Sequence, residues 1–219
     1  MMAIQGVIFD MDGLMFDSEK LYYQANLAAA KTMQLSFPTS FYHQFIGASD
    51  GYMMELLIDA LGERSQAERF VDLTYQNIQL ALQQGKLVKK PGLDALLAYL
   101  DQHQIPKIIA SSNFKSKIKQ FLAAAHLKHA FTKIVSFDDV SQGKPAPDLF
   151  EKAHVLLGTP ATKTIVLEDS LNGLLAAEAA ALPCVIVPDL IKPTQTMQAK
   201  ATAIVPDLFA VRDLIKKSH

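Results

Sequence analysis

The chain has 219 residues, half of them hydrophobic and 20% charged, with a formal net charge of -1. That length suits one globular domain, or a core domain carrying a smaller insert. The near-neutral balance, without a Lys/Arg block, argues against a nucleic-acid partner, and the single cysteine, Cys184, rules out an internal disulfide. No run is apolar for long enough to cross a bilayer, because Glu178 and Pro183 interrupt "LLAAEAAALPCVIV". With no basic, apolar, cleavable leader ahead of the first strand, the expected location is the cytoplasm.

Taken in chain order, "IQGVIFD" (4–10) reads as a short buried strand. From Ser18 the period changes: Leu21, Ala25, Ala28 and Thr32 share a helical face, with Ser18 as a plausible N-cap. "YMMELLIDALG" and "AERFVDLTYQNIQLALQQG" continue the helical texture to Gly85. After Pro91-Gly92 the pattern alternates. A helix (93–103) leads to the strand "PKIIAS", a helix (115–125) to "KIVSF", and a helix begun at Pro147 to "TIVLED". A small-residue helix (171–180), the strands "CVIVP" and "AIVP" and a last helix (207–217) complete the chain. Cys184 sits in an apolar strand and reads as inert core packing. The fold class expected is α/β: a doubly wound parallel-sheet, Rossmann-like core (1–16 and 87–219) with an inserted all-helical cap (17–86).

Asp10, Ser111 and the pair Glu168–Asp169 each stand at the carboxyl end of a predicted strand. In open α/β sheets ligands bind in the crevice outside those ends. Asp10, Asp12, Glu168 and Asp169 would therefore bring four acids together, a cluster that raises its own pKa values unless a cation joins it. Mg²⁺ suits such a site, since it takes a few oxygen ligands and leaves room for substrate phosphate. Lys144 in "GKPAP" adds a positive charge, and Ser111, Ser112 and Asn113 offer short donors near a helix start. The chemistry these residues suit is phosphoryl transfer, with Asp10 attacking phosphorus to form an aspartyl phosphate. Asp12 would protonate the leaving alcohol and then activate water.

"DMDGLMFDSE", "ASSN", "GKPAPD" and "LEDS" resemble, in order and in context, the four motifs of the haloacid dehalogenase superfamily of phosphohydrolases. More narrowly, the chain resembles the phosphatase and β-phosphoglucomutase-like branch with a helical cap after the first motif. The resemblance implies Asp10 as nucleophile, Asp12 as general acid/base, and Ser111 and Lys144 as phosphate binders. It also implies Mg²⁺ held by the Asp10 carboxylate, the Asp12 backbone carbonyl and Asp169, with Glu168 nearby or acting through water. Dehalogenases proper lack an acid at the position of Asp12, which favours phosphoryl transfer. β-Phosphoglucomutases carry a cap arginine where this chain has Asp50, and a histidine where it has Tyr22. Both departures favour a plain phosphatase.

In the cap segment "FIGASDG", Gly47, Ser49 and Asp50 are candidate substrate contacts. Met53 and Met54 are expected to pack inside the cap. Ala181 occupies a helix end where relatives often place glycine. The functional expectation is Mg²⁺-dependent hydrolysis of a small phosphate monoester, a sugar phosphate or similar metabolite. The alternatives are a hexose-phosphate mutase and, further off, a non-catalytic phosphometabolite sensor. The partner expected is the small-molecule ester, with no nucleic acid or membrane, on a monomer or weak homodimer.

Overall fold

The computed structural model describes residues 3–45 and 50–218, with the side chain of Asp50 outside that description. The chain divides into two compact units, Met1–Asp17 with Val88–His219, and Ser18–Leu87. In chain order, β1 (Gly6–Phe9) is followed by the helical unit: α1 (Ser18–Thr32), α2 (Thr39–Tyr42), α3 (Asp50–Leu61) and α4 (Arg64–Gln83). The alternation then runs α5 (Leu93–Gln102), β2 (Lys107–Ala110), α6 (Lys115–Ala124), β3 (Ile134–Val135), α7 (Asp148–Leu157) and β4 (Thr164–Glu168). It closes with α8 (Leu171–Ala179), β5 (Cys184–Ile186), α9 (Gln195–Lys200), β6 (Ala203–Ile204) and α10 (Leu208–Ser218).

Among the described residues the strands form one parallel six-stranded sheet in the order β3-β2-β1-β4-β5-β6, the doubly wound arrangement expected. Strands buried on both faces read as continuous apolar runs, and GVIF and TIVLE are buried at every residue. Side-chain alternation splits them between two layers. Ile8, Ile108, Ala110, Val166 and Ile186 pack with Leu149, Phe150 and Ala153 of α7, Leu174 and Ala177 of α8 and Met197 of α9. Cys184 belongs to this cluster, and burial pushes its thiol well above the ordinary range, so it is inert packing. On the opposite face Phe9 meets Phe131 edge-on at 5.4 Å, and α5 packs against α10.

β3 is shorter than the apolar run "KIVSF" suggests, because Ser136 starts a new turn. Its N–H and hydroxyl both donate to Asp139 Oδ2, at 3.0 and 2.8 Å, and close a capping box over Phe137–Asp139. The small helix α9 went unread in the sequence although its cap was visible: Thr194 Oγ accepts from Met197 N–H at 3.2 Å. In the helical unit Ala29, Ala30, Tyr42, Phe45, Leu57, Ala67 and Phe70 form a separate core, and Met53 and Met54 pack against it. Among the described residues no helix is long and apolar enough to cross a membrane.

Candidate active site

The strand order places the site. The chain winds outward from β1 through β2 to β3, then crosses back to lay β4 on the other side of β1. Such a switch point opens a crevice at the carboxyl edge of the sheet. Phe9 pairs with Leu167 and with Ile109, so the residues just beyond those positions emerge beside one another. These are Asp10, Glu168 and, one step further, Ser111. Asp10 N–H donates to Leu167 O at 3.0 Å and Ser111 N–H to Val135 O at 3.1 Å, which fixes both backbones at the edge.

After Asp10 the chain reverses tightly. Met15 and Phe16 N–H donate to Met11 O at 2.9 and 3.3 Å, and Gly13 N–H donates to Phe16 O at 3.0 Å. Gly13 has φ +73°, and a Cβ there would run into the Asp169 carboxylate. Glycine is needed twice over, for the left-handed backbone and for the space.

Lys144 enters from the loop before α7, through a cis peptide bond to Pro145. Its Nζ donates to Asp10 Oδ1 at 2.5 Å and to Glu168 Oε1 at 2.6 Å, and lies 4.7 Å from the centre of the Phe150 ring. The other oxygen of Glu168 accepts from Asp169 N–H, Ser170 N–H and Ser170 Oγ, each at 2.9 Å. Ser170 Oγ in turn accepts from Gly173 N–H at 3.1 Å, capping α8. Glu168 is thus clamped between the start of α8 and the lysine. A Cβ at Gly173 would collide with its carboxylate.

On the β2 side, Asn113 Nδ2 donates to Asp12 Oδ2 and, at 3.3 Å, to Ser111 Oγ, which also accepts from Asn113 N–H at 3.2 Å. The structure therefore brings Asp10, Asp12, Ser111, Asn113, Lys144, Glu168 and Asp169 together. Ser112 is exposed and makes no such contact in the cluster. Gly47 and Ser49 lie outside the described residues, and Asp50 opens α3 with its side chain outside them as well.

The electrostatics follow from burial and a shortage of positive charge. Burial raises Asp10 to about 8 against the attraction of Lys144, with Glu168 and Asp12 pushing the same way. Asp169 is raised well above the carboxylate range by burial, then by Glu168 and Asp10. Burial opposes the charge on Lys144 too, but the carboxylates of Asp10 and Glu168 outweigh it and hold the ammonium. Glu168 overcomes its own burial through Lys144 and its hydrogen bonds to Ser170, and stays ionised.

Asp10, Glu168 and Asp169 each offer an oxygen, all within 4.8 Å of one another. An oxygen-only donor set with surplus negative charge fits a hard divalent cation such as Mg²⁺. One carboxylate that the sequence reading missed strengthens the fit. Asp189, just past β5, presents Oδ2 to the same place, 3.3 Å from where a Cβ on Gly13 would sit, and that oxygen is buried without a hydrogen-bond partner. Its signal was the one used for the others, an acid beyond the carboxyl end of a strand. Gly13, Gly173 and Lys90, which pairs with Asp189, carried no signal of their own.

A doubly wound sheet whose switch point gathers acids around one lysine has the architecture of an α/β protein with its ligand crevice at the carboxyl edge. Residues 7–187 match the family model described as haloacid dehalogenase-like hydrolase, and the chain belongs to that family. A Lacticaseibacillus casei protein described as lying in the fgs 3' region is 31% identical over 208 residues, covering 95% of this chain and 93% of its own. A Thermotoga maritima phosphorylated carbohydrates phosphatase is 26% identical over 204 residues, covering 92% and 94%. Among solved structures, a Thermotoga maritima protein described as a candidate beta-phosphoglucomutase superposes with a TM-score of 0.85 over 99% of this chain and 100% of its own. At 24% identity that likeness establishes the fold.

Proposed function

We propose that this hydrolase is a Mg²⁺-dependent phosphatase that cleaves small phosphate monoesters, a sugar phosphate or similar metabolite, through an aspartyl phosphate on Asp10. The observation that carries the reading is the Asp10 carboxylate at the switch point, 2.5 Å from Lys144 Nζ, with Asp12 two residues on and held by Asn113. Similarity over nearly the whole chain to a phosphatase of phosphorylated carbohydrates supports the substrate class.

In the first half-reaction Asp10 Oδ attacks phosphorus and the bond to the leaving alkoxide breaks, while the Asp12 carboxyl group gives that oxygen its proton. In the second, Asp12 takes a proton from water as the water oxygen attacks phosphorus, releasing inorganic phosphate and restoring Asp10. Lys144 neutralises charge on the transferring group. Ser111 Oγ accepts from Asn113, which leaves its proton for a phosphate oxygen. Asn113 keeps Asp12 facing the reacting bond. When bound, Mg²⁺ would be held by Asp10, Asp169 and the Asp12 backbone carbonyl and would offset the charge of carboxylate and phosphate. Glu168 acts in this reading as the buried counter-ion that fixes Lys144.

The test is release of inorganic phosphate from a panel of phosphate monoesters, with and without chelator. Turnover that requires Mg²⁺ and disappears in Asp10→Asn supports the assignment. Turnover untouched by that substitution refutes the nucleophile. Glucose 1-phosphate supplied with a trace of the 1,6-bisphosphate separates the mutase alternative, since glucose 6-phosphate in place of free phosphate would show isomerisation.

A further inference from the structure

Asp189 is a costly residue where it stands. Its side chain is 8% exposed, and Lys90 Nζ donates to Oδ1 at 2.5 Å from a side chain that is itself 17% exposed. Oδ2 accepts nothing: it is the one buried side-chain oxygen or nitrogen without a partner among the described residues. Leaving a buried carboxylate oxygen unpaired is costly, because it gives up its hydrogen bonds to water and receives none in exchange. A carboxylate needed only to pair with Lys90 gains nothing from burying its second oxygen.

The direction of that oxygen explains the cost. Gly13 has no side chain, and the space its Cβ would fill borders both Asp169 Oδ2 and Asp189 Oδ2, so the two carboxylates approach the same spot. Two acidic side chains converging on one spot, with a buried oxygen left without a partner, call for a positive or hydrogen-bond-donating species between them. The cluster of Asp10, Glu168 and Asp169 already has the composition for a hard cation that keeps some of its water.

We propose that Asp189 is a positioning residue of the divalent-cation site: its free Oδ2 accepts a hydrogen bond from water carried by the cation, and Lys90 holds the carboxylate in that orientation. The proposal rests on the reading of the acid cluster as a cation site and extends it to a fifth acid and a second lysine. Groups of this kind tune metal affinity by roughly 10- to 100-fold.

The experiment is direct titration of the purified, chelator-stripped protein with Mn²⁺, free ion counted by its paramagnetic resonance signal, and with Mg²⁺ by calorimetry. Four proteins are compared: unsubstituted, Asp169→Asn, Asp189→Leu, and Lys90→Met combined with Asp189→Leu. The expected result is that Asp169→Asn abolishes binding and Asp189→Leu weakens it at least tenfold. The double variant, which keeps the net charge, stays weakened at least tenfold because the acceptor oxygen is still missing. It also carries the test if Asp189→Leu alone misfolds with Lys90 unpaired. A loss below tenfold in Asp189→Leu, or recovery in the double variant, overturns the role of Asp189 while leaving the cation site in place. Absence of binding by the unsubstituted protein overturns both.

Discussion

Replacing Asp10 by Asn should make the metal-free protein more stable while it destroys turnover. Asp10 titrates near 3.8 when unfolded and near 8 in the folded chain, where burial outweighs the attraction of Lys144. A folded-state pKa above the unfolded one means that the native state binds more protons between those values, so folding of the unsubstituted chain loses stability as pH rises through that window. The penalty is absent below about pH 3.8 and complete above about pH 8. At pH 7, about three units into the window, roughly 1.4 kcal/mol per unit amounts to about 4 kcal/mol. Asn keeps an acceptor for Lys144, and Lys144 keeps Glu168 at 2.6 Å, so most of that penalty should be recovered. The expected gain is about 2–4 kcal/mol at pH 7 and near zero at pH 4. Urea unfolding followed by circular dichroism, in chelator, across pH 4 to 8 measures it. Saturating Mg²⁺ should narrow the gap, because the cation stabilises a folded state that retains the carboxylate. An Asn variant less stable at every pH, or a gain that does not grow with pH, would refute the claim that burial dominates the electrostatics of Asp10.

Three further outcomes test the surrounding scaffold. Gly173→Ala should lower stability by about 2 kcal/mol despite better helix propensity, and cut turnover at least tenfold. The added methyl group displaces Glu168 from Ser170 and so from Lys144; denaturant melts and a phosphate-release assay read both effects. Ala181→Gly should raise the melting temperature by about 2–4 °C, since Ala181 sits at φ +55° just past α8 and glycine relieves about 1 kcal/mol of left-handed strain. Asp139 is held down at about 2, first by the hydrogen bond from Lys115 and then by those from Ser136, against an ordinary 3.8. Its contribution is therefore present above pH 3.8 and lost as pH falls through about 2. Asp139→Asn should cost about 1 kcal/mol at pH 7, with the difference vanishing at the acid end of a pH series of melts.

How much of this was legible in the sequence follows from the range over which each signal acts. Apolar periodicity and punctuation by glycine and proline are local, and they were enough for the alternating strands and helices, the interposed helical segment and the α/β class. The weak points were short elements. β3 yields to the Ser136–Asp139 capping box after two residues, and α2 and α9 are too brief to show a period.

The candidate site divides the same way. Acids and short donors just past buried strands marked Asp10, Ser111, Glu168 and Asp169, because strand ends are where an α/β sheet faces its ligand. Which of them touch is a matter of strand order, which no local pattern encodes. Only the pairing of β1 with β4 sets Asp10 beside Glu168, and only the packing of the loop before α7 delivers Lys144 between them. The same holds for Asn113 bonded to Asp12, and for Lys90 and Asp189, 99 residues apart in the chain, closed into one pair. Sequence determined which chemistry the strand ends could offer, while the fold decided which charges share a solvent-poor space. Coulombic energy depends on distance and burial, and both belong to the folded chain alone.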